Sequence, residues 1–130
     1  MVRETGVFGE SWSAETRFSR VDYRDVAEVA AIALTDSRLL YGTYQLFADG
    51  HLNRHDVANL MGQVLERSVR ALTSEHPDTG GAEPSPMQPM FDWYDRRGLL
   101  GNALVLRAVL GREPPTLRAY LEELAAEPVA

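Results

Sequence analysis

Asp22 and Asp25 stand three residues apart, a spacing that sets two carboxylates on one turn of a helix and would allow paired acid/base chemistry. The same spacing has a structural use. A short apolar segment, Phe18 to Val21, runs into Asp22, and Val26, Val29, Ala30, Ala33 and Leu34 then recur at helical spacing. The pattern predicts strand, N-cap, helix, with Asp22 capping and Asp25 in the first turn, where the helix dipole favours negative charge. Capping is the reading we take for both acids. His51 and His55, with Asp49 and Asp56 beside them, raise metal chemistry. Their i,i+4 spacing works only on a helix, His51 precedes the expected cap Asn53, and the third histidine, His76, sits in a Pro/Gly-rich stretch. No metal site is expected. Phe91, Trp93 and Tyr94, flanked by Asp92 and Asp95, follow a long loop, and an aromatic cluster so placed suits the wall of a small-molecule pocket. The plainer alternative is a helix that buries two of the three rings. Arg96 and Arg97 are adjacent on that helix, point in different directions and are expected to be solvated.

The elements that would hold these residues follow from spacing and punctuation. Residues 1–17 lack periodicity and read as an N-terminal arm, a frayed helix end followed by a loop. The helix after Asp22 ends at Asp36-Ser37-Arg38. Tyr41 to Ala48 is rich in strand formers, alternates in part, and reads as a strand ended by Asp49-Gly50. Asn53 looks like an N-cap, with Asp56 completing an approximate capping box. The helix behind it carries Val57, Leu60, Met61, Val64 and Leu65 on one stripe and stops near Arg67, with a short strand possible between Ser68 and Leu72. Residues 73–89 hold Pro77, Pro84, Pro86, Pro89 and Gly80-Gly81, which predicts a loop. Met90 to Arg97 reads as a short helix broken by Gly98. Asn102 is expected to cap a second, Ala103 to Leu110, closed by Gly111 as a left-handed cap. Pro114-Pro115-Thr116 opens the last helix, whose stripe of Leu117, Tyr120, Leu121 and Leu124 is expected in the core.

Composition narrows the function classes. At 130 residues a single domain is expected. A net charge of -6 opposes binding to nucleic acid and to anionic membrane. The chain has no cysteine, so disulfides, thiolate metal sites and cysteine nucleophiles are excluded, and a cytoplasmic location is the expectation. No apolar run reaches the ~20 residues of a membrane helix, and residues 1–10 lack the apolar centre of a secretory signal. All thirteen basic residues are arginine. Schiff bases, a phosphate-loop lysine and a Tyr-x-x-x-Lys reductase pair are therefore closed to it.

Four blocks resemble a known family. Arg20-Val21-Asp22-Tyr23-Arg24-Asp25-Val26-Ala27 is similar to the "V-D-x-x-D-V-A" block of the NmrA-like proteins, atypical short-chain dehydrogenase/reductase relatives. Tyr41-Gly42-Thr43-Tyr44-Gln45-Leu46 resembles their following "G-x-x-Y-x-L" strand. His55-Asp56-Val57-Ala58 through Leu65 resembles the next helix, although Leu65-Glu66 stands where the family often has a leucine-glycine pair. Leu110-Gly111-Arg112-Glu113-Pro114-Pro115-Thr116-Leu117 resembles their closing "L-G-R-x-P-x-T-L" turn. The blocks are in order and span most of residues 18–124, and the resemblance is to the C-terminal half only.

The resemblance implies an α/β fold: the C-terminal half of an NmrA-like Rossmann protein, with two or three short strands and four or five helices. It implies NAD(P) as the cofactor of the family. The Gly-x-x-Gly-x-x-Gly turn that holds the dinucleotide has no match here, because Gly6 and Gly9 lack the preceding strand and the third glycine. No cofactor is expected on this chain alone. The implied function is a substrate-side module, small-molecule-binding or regulatory, with Phe91, Trp93 and Tyr94 at the substrate cleft, no catalysis of its own, and Asp22 and Asp25 supporting the fold at the cleft edge. Two alternatives stand beside it: the substrate lobe of an NAD(P)-dependent oxidoreductase whose nucleotide half is truncated or on another chain, and a dimeric interaction domain without ligand. Since the Tyr41–Ala48 strand would otherwise lack neighbours, a homodimer or a separate N-terminal half is the expected partner.

Overall fold

Caps and glycines set the element boundaries. The computed structural model describes residues 2–73 and 86–127. Its elements in chain order are α1 (Val2–Thr5), β1 (Val7–Phe8), α2 (Tyr23–Thr35), α3 (Arg54–Val64), β2 (Arg70–Ala71), α4 (Gln88–Arg97), α5 (Leu104–Leu110) and α6 (Leu117–Ala126). A 3-10 turn, Ser37–Leu39, follows α2. The described chain is broadly α/β, mixing helices with one two-stranded parallel sheet. It divides into two compact units, each built from two separate stretches: Met1–Phe18 with Leu52–Leu99, and Ser19–His51 with Leu100–Ala130. No shift in composition marks this division.

The first unit holds the sheet. β1 and β2 pair in parallel, Val7 opposite Arg70 and Phe8 opposite Ala71. Arg70 N–H donates to Gly6 O at 2.8 Å and Leu72 N–H to Phe8 O at 2.8 Å. Gly6 enters β1 at φ 64, and a Cβ there would stand 3.1 Å from the Ser68 carbonyl, so the close approach needs glycine. α3 packs on β2 around Ala58, Val69 and Ala71, with Phe8, Met61 and Leu65 against them. Asn53 and Asp56 form a reciprocal capping box: Asn53 Oδ1 accepts from Asp56 N–H at 2.9 Å, and Asp56 Oδ2 accepts from Asn53 N–H at 3.1 Å. Val57, 2% exposed, is worth about 1.5–3 kcal/mol of apolar burial.

The second unit is helical in its described residues. Asp22 caps α2, its Oδ1 accepting from Arg24 N–H at 2.8 Å, and Asp36 closes the helix. α2 packs against α5, where Leu106 is fully buried and Ala103 is 1% exposed. α5 ends on Gly111 in the left-handed region at φ 70. Thr116 caps α6 through its hydroxyl, which accepts from Ala119 N–H at 3.2 Å.

Several expectations are corrected. Tyr41 to Ala48 forms no strand. Tyr41 has φ 61 and is fully exposed, and although Ala48 N–H reaches Arg20 O at 2.8 Å, no ladder follows. Strand-type side chains do not make a strand without a neighbour to take their backbone groups. Phe18 to Val21 likewise reduces to isolated bridges from Phe18 to Leu52 and Leu99. The arm of residues 1–17 contains β1, which its two-residue length hides from any periodicity. Within the expected 73–89 loop, 74–85 lie outside the described residues, while Pro89 belongs to the first turn of α4, where its missing N–H leaves no bond unmade. The Leu117, Tyr120, Leu121 and Leu124 stripe is not core: no residue of α6 is buried, and Leu124 is 36% exposed.

Candidate functional site

The aromatic residues expected to line a pocket lie on α4 in the first unit. Tyr94 points into a cluster with Phe18 and Trp12, at centroid distances of 5.7 Å and 6.3 Å and near-perpendicular ring planes. Trp12 and Phe18 are 4.6 Å apart. Such edge-to-face packing adds about 0.5–1.5 kcal/mol per pair beyond area burial. Trp93 meets Tyr94 edge-on at 5.7 Å and stays 46% exposed, whereas Phe91 and Tyr94 are half-buried. The helix thus turns two rings inward and presents one. The indole Nε1 of Trp12 is buried without a hydrogen-bond partner among the described residues. Asp95 ties the start of the cluster to α4, accepting from Ser13 N–H at 2.7 Å and from the Thr16 hydroxyl at 2.9 Å.

Close by in the same unit is a side chain whose role the sequence reading did not single out. Arg54 opens α3 and is 1% exposed. Its Nη1 donates to Leu72 O, and its Nη2 donates to Trp12 O and, at 2.9 Å, to Glu10 O. One guanidinium therefore joins α3, the end of β2 and the loop that carries Trp12. The planar fork of arginine suits three carbonyls arranged this way. Its position three and four residues before the buried Val57 and Ala58 was the available signal: a charge on the buried stripe of a helix needs internal partners.

In the second unit Asp22 and Asp25 are both held by arginines. Arg24 grips Asp22 through Nε at 3.1 Å and 3.0 Å and through Nη2 at 2.6 Å. The same guanidinium forks onto Glu123 of α6 at 2.6 Å and 2.8 Å. Hydrogen bonds from Arg24 hold the Asp22 carboxyl below its usual range against the opposing effect of burial, and they hold Glu123 below its range too. Arg24 is pushed upward in turn, first by Glu123 and then by Asp22. An acid kept ionised in this way is a poor proton donor near neutrality, and as a base it is weakened by the same bonds, which occupy both of its oxygens, so acid/base work by Asp22 has no support in the geometry.

Asp25 is 2% exposed, and its Oδ1 receives Arg112 Nη2 at 2.7 Å; Glu28 takes the same nitrogen at 2.5 Å. Arg112 is raised, first by Asp25 and then by Glu28. Asp25 Oδ2 is buried without a partner among the described residues. A cleft of about 380 Å³ lies beside this node, lined by Asp22, Arg24, Asp25, Arg112, Glu113 and Pro115. Arg107 meets Glu113 at 2.5 Å and Asp49 at 3.2 Å.

The loop before α5 is clamped as well. The Ser19 hydroxyl donates to Gly101 O and accepts from Gly101 N–H, both at 3.0 Å, and His51 Nε2 lies 2.8 Å from the same carbonyl. A Cβ on Gly101 would stand 2.0 Å from the Phe47 ring. His55 pairs instead with Glu15 at 3.1 Å in the first unit, and His76 lies outside the described residues. Among the described residues, no group of three or more His, Asp or Glu side chains is arranged to hold a metal. Gly6 stands between α1 and β1, a helix-to-strand order opposite to the strand-to-helix order of a dinucleotide phosphate turn. No helix among the described residues is long and apolar enough to cross a membrane. No protein-family model matches the chain, and no curated protein matches its sequence.

Proposed function

We propose that the chain is the substrate-side module of an NmrA-like protein, α/β in class and Rossmann-related, which binds a small molecule or acts as a regulatory module and does not itself hold NAD(P). The supporting observation is the Arg112–Asp25 pair at 2.7 Å. Arg112 belongs to the "L-G-R-x-P-x-T-L" block and Asp25 to the "V-D-x-x-D-V-A" block, so two stretches that carry the family resemblance are tied through a buried carboxylate. On this reading Trp93 offers its exposed ring to the small molecule, while Phe91 and Tyr94 set its position, and the protein works in the cytoplasm.

A second reading makes the chain the substrate lobe of an NAD(P)-dependent oxidoreductase whose nucleotide half lies elsewhere. It is favoured by the segment around Tyr41 and Tyr44, which has the residues of a strand but leaves both rings exposed. In either case a second copy or a separate N-terminal half would supply the missing neighbour strand.

Thermal-shift titration with NADPH tests the assignment: the chain alone should give no saturable shift, and a saturable shift overturns it. Light scattering at micromolar concentration should return a dimer, and a monodisperse monomer would remove the homodimer. Addition of a separately expressed half bearing a Gly-x-x-Gly-x-x-Gly turn distinguishes the second reading, since only a complex should then bind NADPH.

A further inference from the structure

α6 is held differently from its neighbours. α2 buries Asp25 and Val29 and α5 buries Leu106, whereas α6 has no fully buried residue and covers Leu117, Tyr120 and Leu121 only in part. A charged fork joins α6 to α2. Arg24 forks onto Glu123 at 2.6 Å and 2.8 Å, and its guanidinium carbon stands 5.7 Å from the centre of the Tyr120 ring. The pair is open to water, its side chains 46% and 51% exposed. Attraction between exposed charges is screened as the Debye length falls from ~10 Å at 0.1 M salt to ~3 Å at 1 M. Apolar packing of the kind that joins α2 to α5 is not weakened in this way. A 10-residue helix is also marginal once detached, because helix nucleation is unfavourable and few bonds repay it.

We propose that α6 is an ion-paired strap, which leaves α2 and unwinds as a local unit when salt rises or the Glu123 charge is lost, while α2 and α5 remain packed. Opening of this kind belongs to the low-stability end of the range of native-state openings. Release would uncover the inner sides of Leu117, Tyr120 and Leu121, and would free from Glu123 the Arg24 guanidinium that lines the cleft.

Amide hydrogen exchange followed by mass spectrometry at 50 and 500 mM sodium chloride tests this. Exchange in α6 is expected to quicken roughly fivefold with salt, the scale of a screened exposed pair, with α2 and α5 unchanged. Glu123→Gln should exchange fast in α6 at low salt and lose the salt response. Glu122→Gln, whose partner Arg118 is on α6 itself at 3.4 Å, should keep the salt response of wild type. The proposal is overturned by salt-independent exchange in wild-type α6, by a Glu123→Gln variant identical to wild type, or by α6, α2 and α5 losing protection together.

Discussion

Replacing Arg54 by methionine keeps most of the side-chain volume and removes the guanidinium. Three carbonyls, on Glu10, Trp12 and Leu72, then lose their donor. Hydrogen bonds from a charged donor are worth about 1.5–3 kcal/mol each, so the gross loss is roughly 4–9 kcal/mol. Part of this is returned, because a charge at 1% exposure no longer has to be kept from water, and that desolvation is several kcal/mol in a protein interior. The net expectation is a loss of about 3–5 kcal/mol, or a melting point lower by roughly 10–20 °C at this chain length. Arg54→Lys retains the charge without the fork and should recover less than half of the loss. Both tryptophans of the chain, Trp12 and Trp93, lie in the first unit, so their emission during urea unfolding reports on that unit specifically. A methionine variant within about 0.5 kcal/mol of wild type, the usual range for surface substitutions, would refute the view that this guanidinium holds the loop, α3 and β2 together.

Asn53→Ala should remove one arm of the capping box and lower stability by about 1 kcal/mol, read as a shifted urea midpoint at unchanged slope. Gly101→Ala should cost about 1–3 kcal/mol by overpacking against Phe47, and Phe47→Leu in the same chain should restore part of it. No restoration would mean that the ring is not the obstacle. Acid should weaken the second unit in a defined window. Asp22 and Glu123 are both depressed below their ordinary values of 3.8 and 4.5, so their contribution is complete above those values and disappears as pH falls through the lower folded ones. Urea midpoints followed by circular dichroism from pH 6 to 2.5 should fall less steeply in Arg24→Met than in wild type, and parallel curves would show that Arg24 does not cause the depression.

Local chemistry was the legible part of the sequence. Asp22, Asn53 with Asp56, Thr116, Gly98 and Gly111 bound helices as their types and spacing indicate, because a cap is satisfied within four residues of itself. Tyr41 to Ala48 was misread because strand propensity describes fit to a partner that the described chain does not provide. β1 escaped because its pairing with Arg70–Ala71 joins residues far apart and leaves no period in either stretch. At the candidate sites, the aromatic trio could be named from type alone, but only coordinates reveal that Tyr94 faces Trp12 and Phe18 while Trp93 faces water. The Asp25–Arg112 pairing is hidden for the same reason: the two residues stand in separate blocks, and nothing in either block says that they touch.

The interleaved connectivity of the two units also sets a timetable for synthesis. Domains tend to fold from the N-terminus as the chain emerges. Every residue of the unit that contains both tryptophans has been made once Leu99 is added, whereas α2, made early, waits for Leu104–Leu110 before the α5 that packs against it exists. On the ribosome the sheet unit, whose second stretch ends at Leu99, can therefore close first, while α2 waits for the stretch that follows Leu99.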